Sequence, residues 1–135
     1  MPLNIQYANP SVQFEIYDQI DGDASTETMK NGMKFITRFH PDLIIALGDY
    51  RVIQCAKAFW ELYEHPELDY KRTSLLSIAA TNRPFKMDIK SKKAIFISIP
   101  STISYGTESN ALTMITDNAT GLSLIHILFT PAVTA

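Results

Sequence analysis

The sequence contains a single cysteine, Cys55, which excludes a disulfide within one chain. Set in a stretch of helical spacing, it reads as a small packed residue and not as a nucleophile. No apolar run approaches the ~20 residues that a membrane-spanning helix needs. Basic residues are scattered, and the net charge is −2. The densest basic grouping, Lys90, Lys92 and Lys93, precedes an apolar stretch and reads as a solvated approach to a strand, so neither nucleic acid nor a membrane surface is an expected partner. The three histidines, His40, His65 and His126, are far apart and lack the paired spacing of a metal site. His40 and His65 each precede a proline, which suits loop and cap polarity, while His126 reads as a strand residue. There is no Gly-Lys-Ser phosphate loop, no CxxC pair and no Gly-x-Ser-x-Gly elbow. The opening MPLNIQYANP lacks a basic region followed by an apolar core, so no signal peptide is expected and a cytoplasmic location is.

What is present is the make-up of a soluble globular domain, 46% hydrophobic and 19% charged over 135 residues. In the segment 11–20, Val12, Phe14 and Ile16 alternate, which predicts a strand ended by Asp21-Gly22-Asp23. Ser25 or Thr26 is placed to cap a helix, with Glu27 in its first turn. Met29, Met33 and Ile36 carry that helix to about Phe39, where Pro41 resets the backbone. The wholly apolar run 43–47 predicts a strand covered on both faces by helices. Gly48 then permits a sharp turn, and Val52, Ile53, Ala56, Phe59, Trp60 and Tyr63 fall at helical spacing as core residues. Leu68, Leu75, Leu76 and Ala79 suggest a short helix before a loop through Asn82-Arg83-Pro84. A second apolar strand is expected at 94–99, and a third at 112–116, paired in a hairpin with 125–129 across the turn 117–121. The predicted class is α/β: one domain, 1–135, built on an open, mostly parallel Rossmann-like sheet flanked by helices, with a C-terminal β-hairpin. In such sheets the turn at the carboxyl end of a strand, opening a helix, is where nucleotides bind.

The segment 40–67 carries Pro41, Asp42, Ile44, Ile45, Ala46, Leu47, Gly48, Ala56, Lys57, Trp60, Tyr63, Glu64, His65, Pro66 and Glu67. With this pattern the chain resembles the nucleotide-binding domain of iron-containing alcohol dehydrogenases, and most nearly the alcohol dehydrogenase half of the bifunctional aldehyde–alcohol dehydrogenases. The family's turn is Gly-Gly-Gly-Ser; here Gly48 is followed by Asp49, Tyr50 and Arg51, and Gln54 stands in place of the family's Asp. Glycines let a backbone approach a pyrophosphate closely. Asp49 instead brings a like charge, repelling at ~4 Å by roughly 4 kcal/mol at an effective dielectric of 20, and Tyr50 adds bulk. A second match follows 94–99, where Pro100, Thr102, Gly106 and Glu108 keep the family's places. There Ser104 and Tyr105 replace a glycine and a threonine, and Ile103 and Thr107 also differ. Thr116-Asp117, Ala119-Thr120-Gly121 and Thr130-Pro131 match further on, but Ser123 stands where a basic residue is expected.

The resemblance implies NAD(P) as cofactor and an alcohol dehydrogenase activity. It also implies a first strand upstream of Ser11 and, after Ala135, a helical domain bringing an Asp and three His to the metal. Neither is within these residues, so the expectation is a truncated, degenerate relative without catalysis of its own, an interaction or relic domain with no catalytic or metal-binding residues and no cofactor. The residual cofactor-binding set is Gly48, Arg51, Ser101, Thr102 and Thr107. The alternatives are a residual NAD(P)-binding module and a fragment of an NAD-dependent alcohol dehydrogenase. The missing strand leaves unpaired edges, which predicts a homodimer formed by edge pairing or by swapping 3–20, or association with a full-length dehydrogenase relative.

Overall fold

In the computed structural model, residues 9–67, 93–110, 112–127 and 133–134 are described. The first helix, α1 (Thr26–Phe39), starts where Ser25 caps it by accepting a hydrogen bond from the Thr28 amide. Glu27 in its first turn and Arg38 in its last oppose the helix dipole. It ends at His40 in the left-handed region (φ 54°), whose N–H returns to the Ile36 carbonyl. Strand β1 (Leu43–Gly48) leads into α2 (Tyr50–Glu64), which is capped by Asp49. Strand β2 (Ile95–Pro100) lies parallel to β1, pairing Leu43 with Ile95 and Gly48 with Pro100. On its other side β2 pairs, also in parallel, with β5 (Val133–Thr134). Strands β3 (Leu112–Thr116) and β4 (Ser123–Ile127) form a separate antiparallel pair. Among the described residues, no helix is long and apolar enough to cross a membrane.

Helix α2 organises the packing. One side meets the sheet through Ile53, Ala56 and Trp60, which bury Ala46, Ala94 and Phe96. The Trp60 ring stacks on Phe96 with centroids 5.4 Å apart, and its indole N–H donates to the Ala94 carbonyl at 2.9 Å. The other side meets α1 and β3 through Cys55, Ala58 and Phe59, which pack with Ala24, Met29, Ile36 and Ile115. Gly32 is required in α1 because the Phe59 ring lies where a side chain at 32 would stand. Polar groups complete the frame. The Glu64 carboxylate accepts from the Lys93 and Ala94 amides at the start of β2. Gln54 Oε1 accepts from the Met114 amide of β3 at 2.8 Å. Asn118 ties the β3–β4 turn to the first turn of α1 by accepting from Glu27 N and Thr26 Oγ1.

Three expectations need correction. The segment 11–20 is not a strand; Val12 and Ile16 are exposed, and Tyr17 packs against Phe35 and edge-on against Phe59. A strand needs a ladder partner, and the two helices offer this segment side chains instead. Among the described residues, strand β1 is covered on one face only: Ala46 is buried and Ile44 packs against the α2 side, while Leu43, Ile45 and Leu47 are 43%, 49% and 65% exposed. An apolar run identifies the strand without identifying its cover. The partner of β3 is Ser123–Ile127 and not 125–129, because the turn is tight. Asp117 accepts from the Ala119 amide and the Thr120 hydroxyl, Gly121 takes φ 68°, and the Asp117 amide donates to the Leu122 carbonyl. The short helix and loop expected between Leu68 and Pro84, and the Thr130-Pro131 match, lie outside the described residues.

Candidate functional site

The carboxyl edge of β1 and β2 has two walls, the β1–α2 turn and the loop 101–110. Gly48 is forced at the first: a Cβ there would stand 2.7 Å from the Cβ of Val52, so the helix can begin at once only if residue 48 has no side chain. Asp49 follows in extended backbone and turns its carboxylate onto the helix start. Its Oδ1 accepts from the amides of Arg51 (3.0 Å) and Val52 (3.2 Å). Its Oδ2 accepts from Arg51 Nε (2.9 Å) and Nη2 (2.7 Å). The Arg51 guanidinium, with these amides, holds the Asp49 carboxyl below its ordinary range. Two of the donors that a helix N-terminus offers an external anion are thus taken by the chain's own carboxylate. Tyr50 leans toward Asp23, its hydroxyl 3.3 Å from Oδ1.

The second wall is held to the first at its base, where the Ser101 amide donates to the Gly48 carbonyl at 2.9 Å. Tyr105 takes φ 53°, unusual for a side chain of that size, and its ring meets Tyr50 edge-on with centroids 6.3 Å apart. Ser104 donates to the Glu108 carboxylate, whose pKa is lowered chiefly by that bond. From below, Lys57 Nζ donates to the carbonyls of Thr107 (2.9 Å) and Asn110 (3.0 Å) and to Asn110 Oδ1 (3.0 Å). Lys57 is only 3% exposed, and burial pulls its pKa down to about 8. One turn on, Glu61 is 1% exposed; burial pushes its pKa up to about 8, and Oε2 has no hydrogen-bond partner among the described residues.

Of the five residues nominated from sequence, Gly48 and Ser101 meet through backbone. Thr102 is exposed beside them, Arg51 is turned onto Asp49, and Thr107 is buried, its carbonyl facing Lys57. Lys57 and Glu61 were not nominated. Their i, i+4 spacing is that of an ordinary surface pair, and only the burial of α2 on both sides distinguishes them. His40 and His65 occupy helix C-caps, Cys55 is fully buried with its thiol pushed up to about 12 by burial, and His126 lies on β4 opposite Thr113. Among the described residues, no three His, Cys, Asp or Glu are grouped to hold a metal ion.

Comparison with known proteins places this architecture. The family model for iron-containing alcohol dehydrogenase matches residues 3–134. Aldehyde-alcohol dehydrogenase 2 of Entamoeba histolytica is 37% identical over 110 residues, 82% of this chain and 13% of that protein. The NADPH-dependent butanol dehydrogenase of Clostridium saccharobutylicum is 35% identical over 109 residues, 81% of this chain and 26% of that one. An iron-containing alcohol dehydrogenase from Thermococcus thioreducens superposes with a TM-score of 0.78 at 21% identity, covering 97% of this chain and 34% of its own. The chain therefore spans a small part of the length of these relatives. It belongs to the iron-containing alcohol dehydrogenase family.

Proposed function

We propose that this chain works by association and holds no dinucleotide at the β1–α2 turn. Members of its family use NAD(P) and iron, but the residues of the turn do not fit a pyrophosphate. The observation that carries the reading is the Asp49 carboxylate, which accepts from Arg51 N and Val52 N and from the Arg51 side chain. A phosphate entering here must displace a helix cap worth ~0.5–2 kcal/mol and then lie beside the displaced charge, at a cost of roughly 4 kcal/mol at ~4 Å. No step of alcohol oxidation is assigned to this chain's residues. Association is supported by the aliphatic face of Leu43, Ile45, Leu47 and Ile95, and by the outer edge of β1, unpaired among the described residues. The occupant proposed is a second copy of the chain, in a closed dimer, with a full-length dehydrogenase relative as the other outcome of the test.

Calorimetric titration of NAD and NADP into the whole chain tests the first half. No heat of binding is expected, and micromolar affinity would sink it. Light scattering tests the second: a mass of two chains is expected, and a single-chain mass unchanged on dilution overturns the dimer. A second reading is favoured by the chain's 13% share of a relative's length: a segment of an NAD-dependent alcohol dehydrogenase whose catalysis lies elsewhere. Its test is the apparent mass of the protein in cell extract.

A further inference from the structure

Strand β1 ends the described sheet, whose order is β1, β2, β5. The phase of its hydrogen bonds follows from its two ends. The Asp42 carbonyl accepts from the Ile95 amide and the Gly48 carbonyl from the Ser101 amide, each at 2.9 Å. Backbone groups of successive strand residues point alternately to the two sides of the strand. Residues 42, 44, 46 and 48 therefore face β2, while Leu43, Ile45 and Leu47 turn their N–H and C=O groups outward. Among the described residues, these outward groups have no ladder partner. The same residues carry exposed aliphatic side chains. The run 43–47 has no charge, no proline and no bulge, the usual means of blunting a sheet edge.

We propose, resting on the reading that the chain associates with itself, that two copies join by antiparallel pairing of β1 with β1 about a two-fold axis at Ile45. Ile45 then faces the partner's Ile45, and Leu43 faces the partner's Leu47. Opposed residues whose groups point at each other exchange both N–H and C=O bonds in an antiparallel ladder. Every outward group of 43, 45 and 47 is satisfied in this way. The axis keeps the exposed side chains of both copies on one face, where leucine meets leucine and isoleucine meets isoleucine. Charge permits the pairing, since Asp42 lies opposite the partner's Gly48 and not another carboxylate. The neighbouring registers fail on this sequence. Shifted one way, Leu47 faces the partner's Pro41, which has no N–H. Shifted the other way, Leu43 faces the partner's Asp49, where the chain has left the strand to cap α2. A register that opposes odd to even residues points the outward groups at residues whose own groups are spent on β2.

Light scattering and amide hydrogen exchange on the intact chain test the pairing. Ile45→Lys or Ile45→Glu sets like charges face to face at the axis and should weaken the dimer at least ~10-fold. An equimolar mixture of the two variants should recover a two-chain mass, because opposite charges then meet at position 45. In the unaltered chain, the Leu43, Ile45 and Leu47 amides should resist exchange where the mass is two chains and lose that protection on dilution to single chains. The Ile44 and Ala46 amides, which face β2, should stay protected throughout. A single-chain mass for the unaltered chain at every concentration overturns the dimer and the pairing together. A two-chain mass overturns the pairing alone if the variants stay paired, if their mixture shows no recovery, or if the 43, 45 and 47 amides exchange freely; the dimer then uses another surface. Protection of those amides in the single chain also overturns the pairing, since the chain would cover its own edge. Should the variants fail to fold, exchange in the unaltered chain decides alone.

Discussion

The start and the middle of one helix use charge in opposite ways. At the start of α2, Asp49 and Arg51 meet within two residues at the surface, and the bonds between them are local. In its middle, Lys57 reaches acceptors about fifty positions away in sequence from a site almost closed to water. Exposed pairs contribute about 0–1 kcal/mol, whereas buried charges are costly to leave unsatisfied. The surface pair thus has little weight in stability but occupies amide donors at the start of the helix. The buried pair has little scope for ligands, and its lysine ties the loop 101–110 to the helix.

The sharpest test of this contrast is a packing change on each section. Trp60→Ala, beside the buried pair, should lower the unfolding free energy by ~3–5 kcal/mol. Tyr50→Ala at the surface end should cost no more than ~0.5 kcal/mol, both read from urea midpoints. Equal effects would erase the distinction. Next in size is ligand binding: Asp49→Gly with Tyr50→Gly and Arg51→Ser should improve dinucleotide affinity by ~1–3 kcal/mol, and Lys57→Met should leave it unchanged. Calorimetry showing no binding in either case would shift the cause from this turn to the rest of the nucleotide cleft.

The pH dependence of stability separates the start and the middle of the helix again. Glu61 has its folded value raised from 4.5 to about 8, so its contribution is complete below pH 4.5 and is lost as pH rises to about 8. Lys57 has its folded value lowered from 10.5 to about 8, so its contribution is complete above pH 10.5 and is lost as pH falls to about 8. Together they give a stability minimum near pH 8, to be seen as the difference between the unaltered chain and the double variant Lys57→Met, Glu61→Gln. A flat difference would mean that the pair is hydrated. Asp49 behaves oppositely: its pKa is lowered, so its contribution is present above its ordinary 3.8 and is lost as pH falls through the folded value. The smallest effect is Asp49→Asn, which keeps the cap and loses the charge; at neutral pH it should cost less than ~1 kcal/mol by thermal unfolding.

How much was legible in the sequence follows the range of each interaction. Ser25, Glu27, Met29, Met33 and Ile36 specify α1 from within one segment, and the helix was read to its last residue. The second helix begins at Tyr50, two residues before the first apolar position Val52, because Asp49 caps it; charge at the turn was legible, its use as a cap was not. Strand β3 lies at the expected 112–116, while the bounds of β4 depend on how Asp117 folds the turn over itself. The uncovered face of β1 and the burial of Lys57 and Glu61 depend on elements distant in sequence, which periodicity along one segment does not encode. The same holds for 11–20, where alternation is present but no neighbouring strand is.

The Trp60–Phe96 stack has a practical consequence, since the chain contains one tryptophan. Its emission comes wholly from the seam between α2 and β2, one residue from Glu61 and with its N–H committed to Ala94. Tryptophan emission, excited beyond the absorption of the six tyrosines, is therefore a single-site signal that needs no label. A red shift marks water reaching that seam.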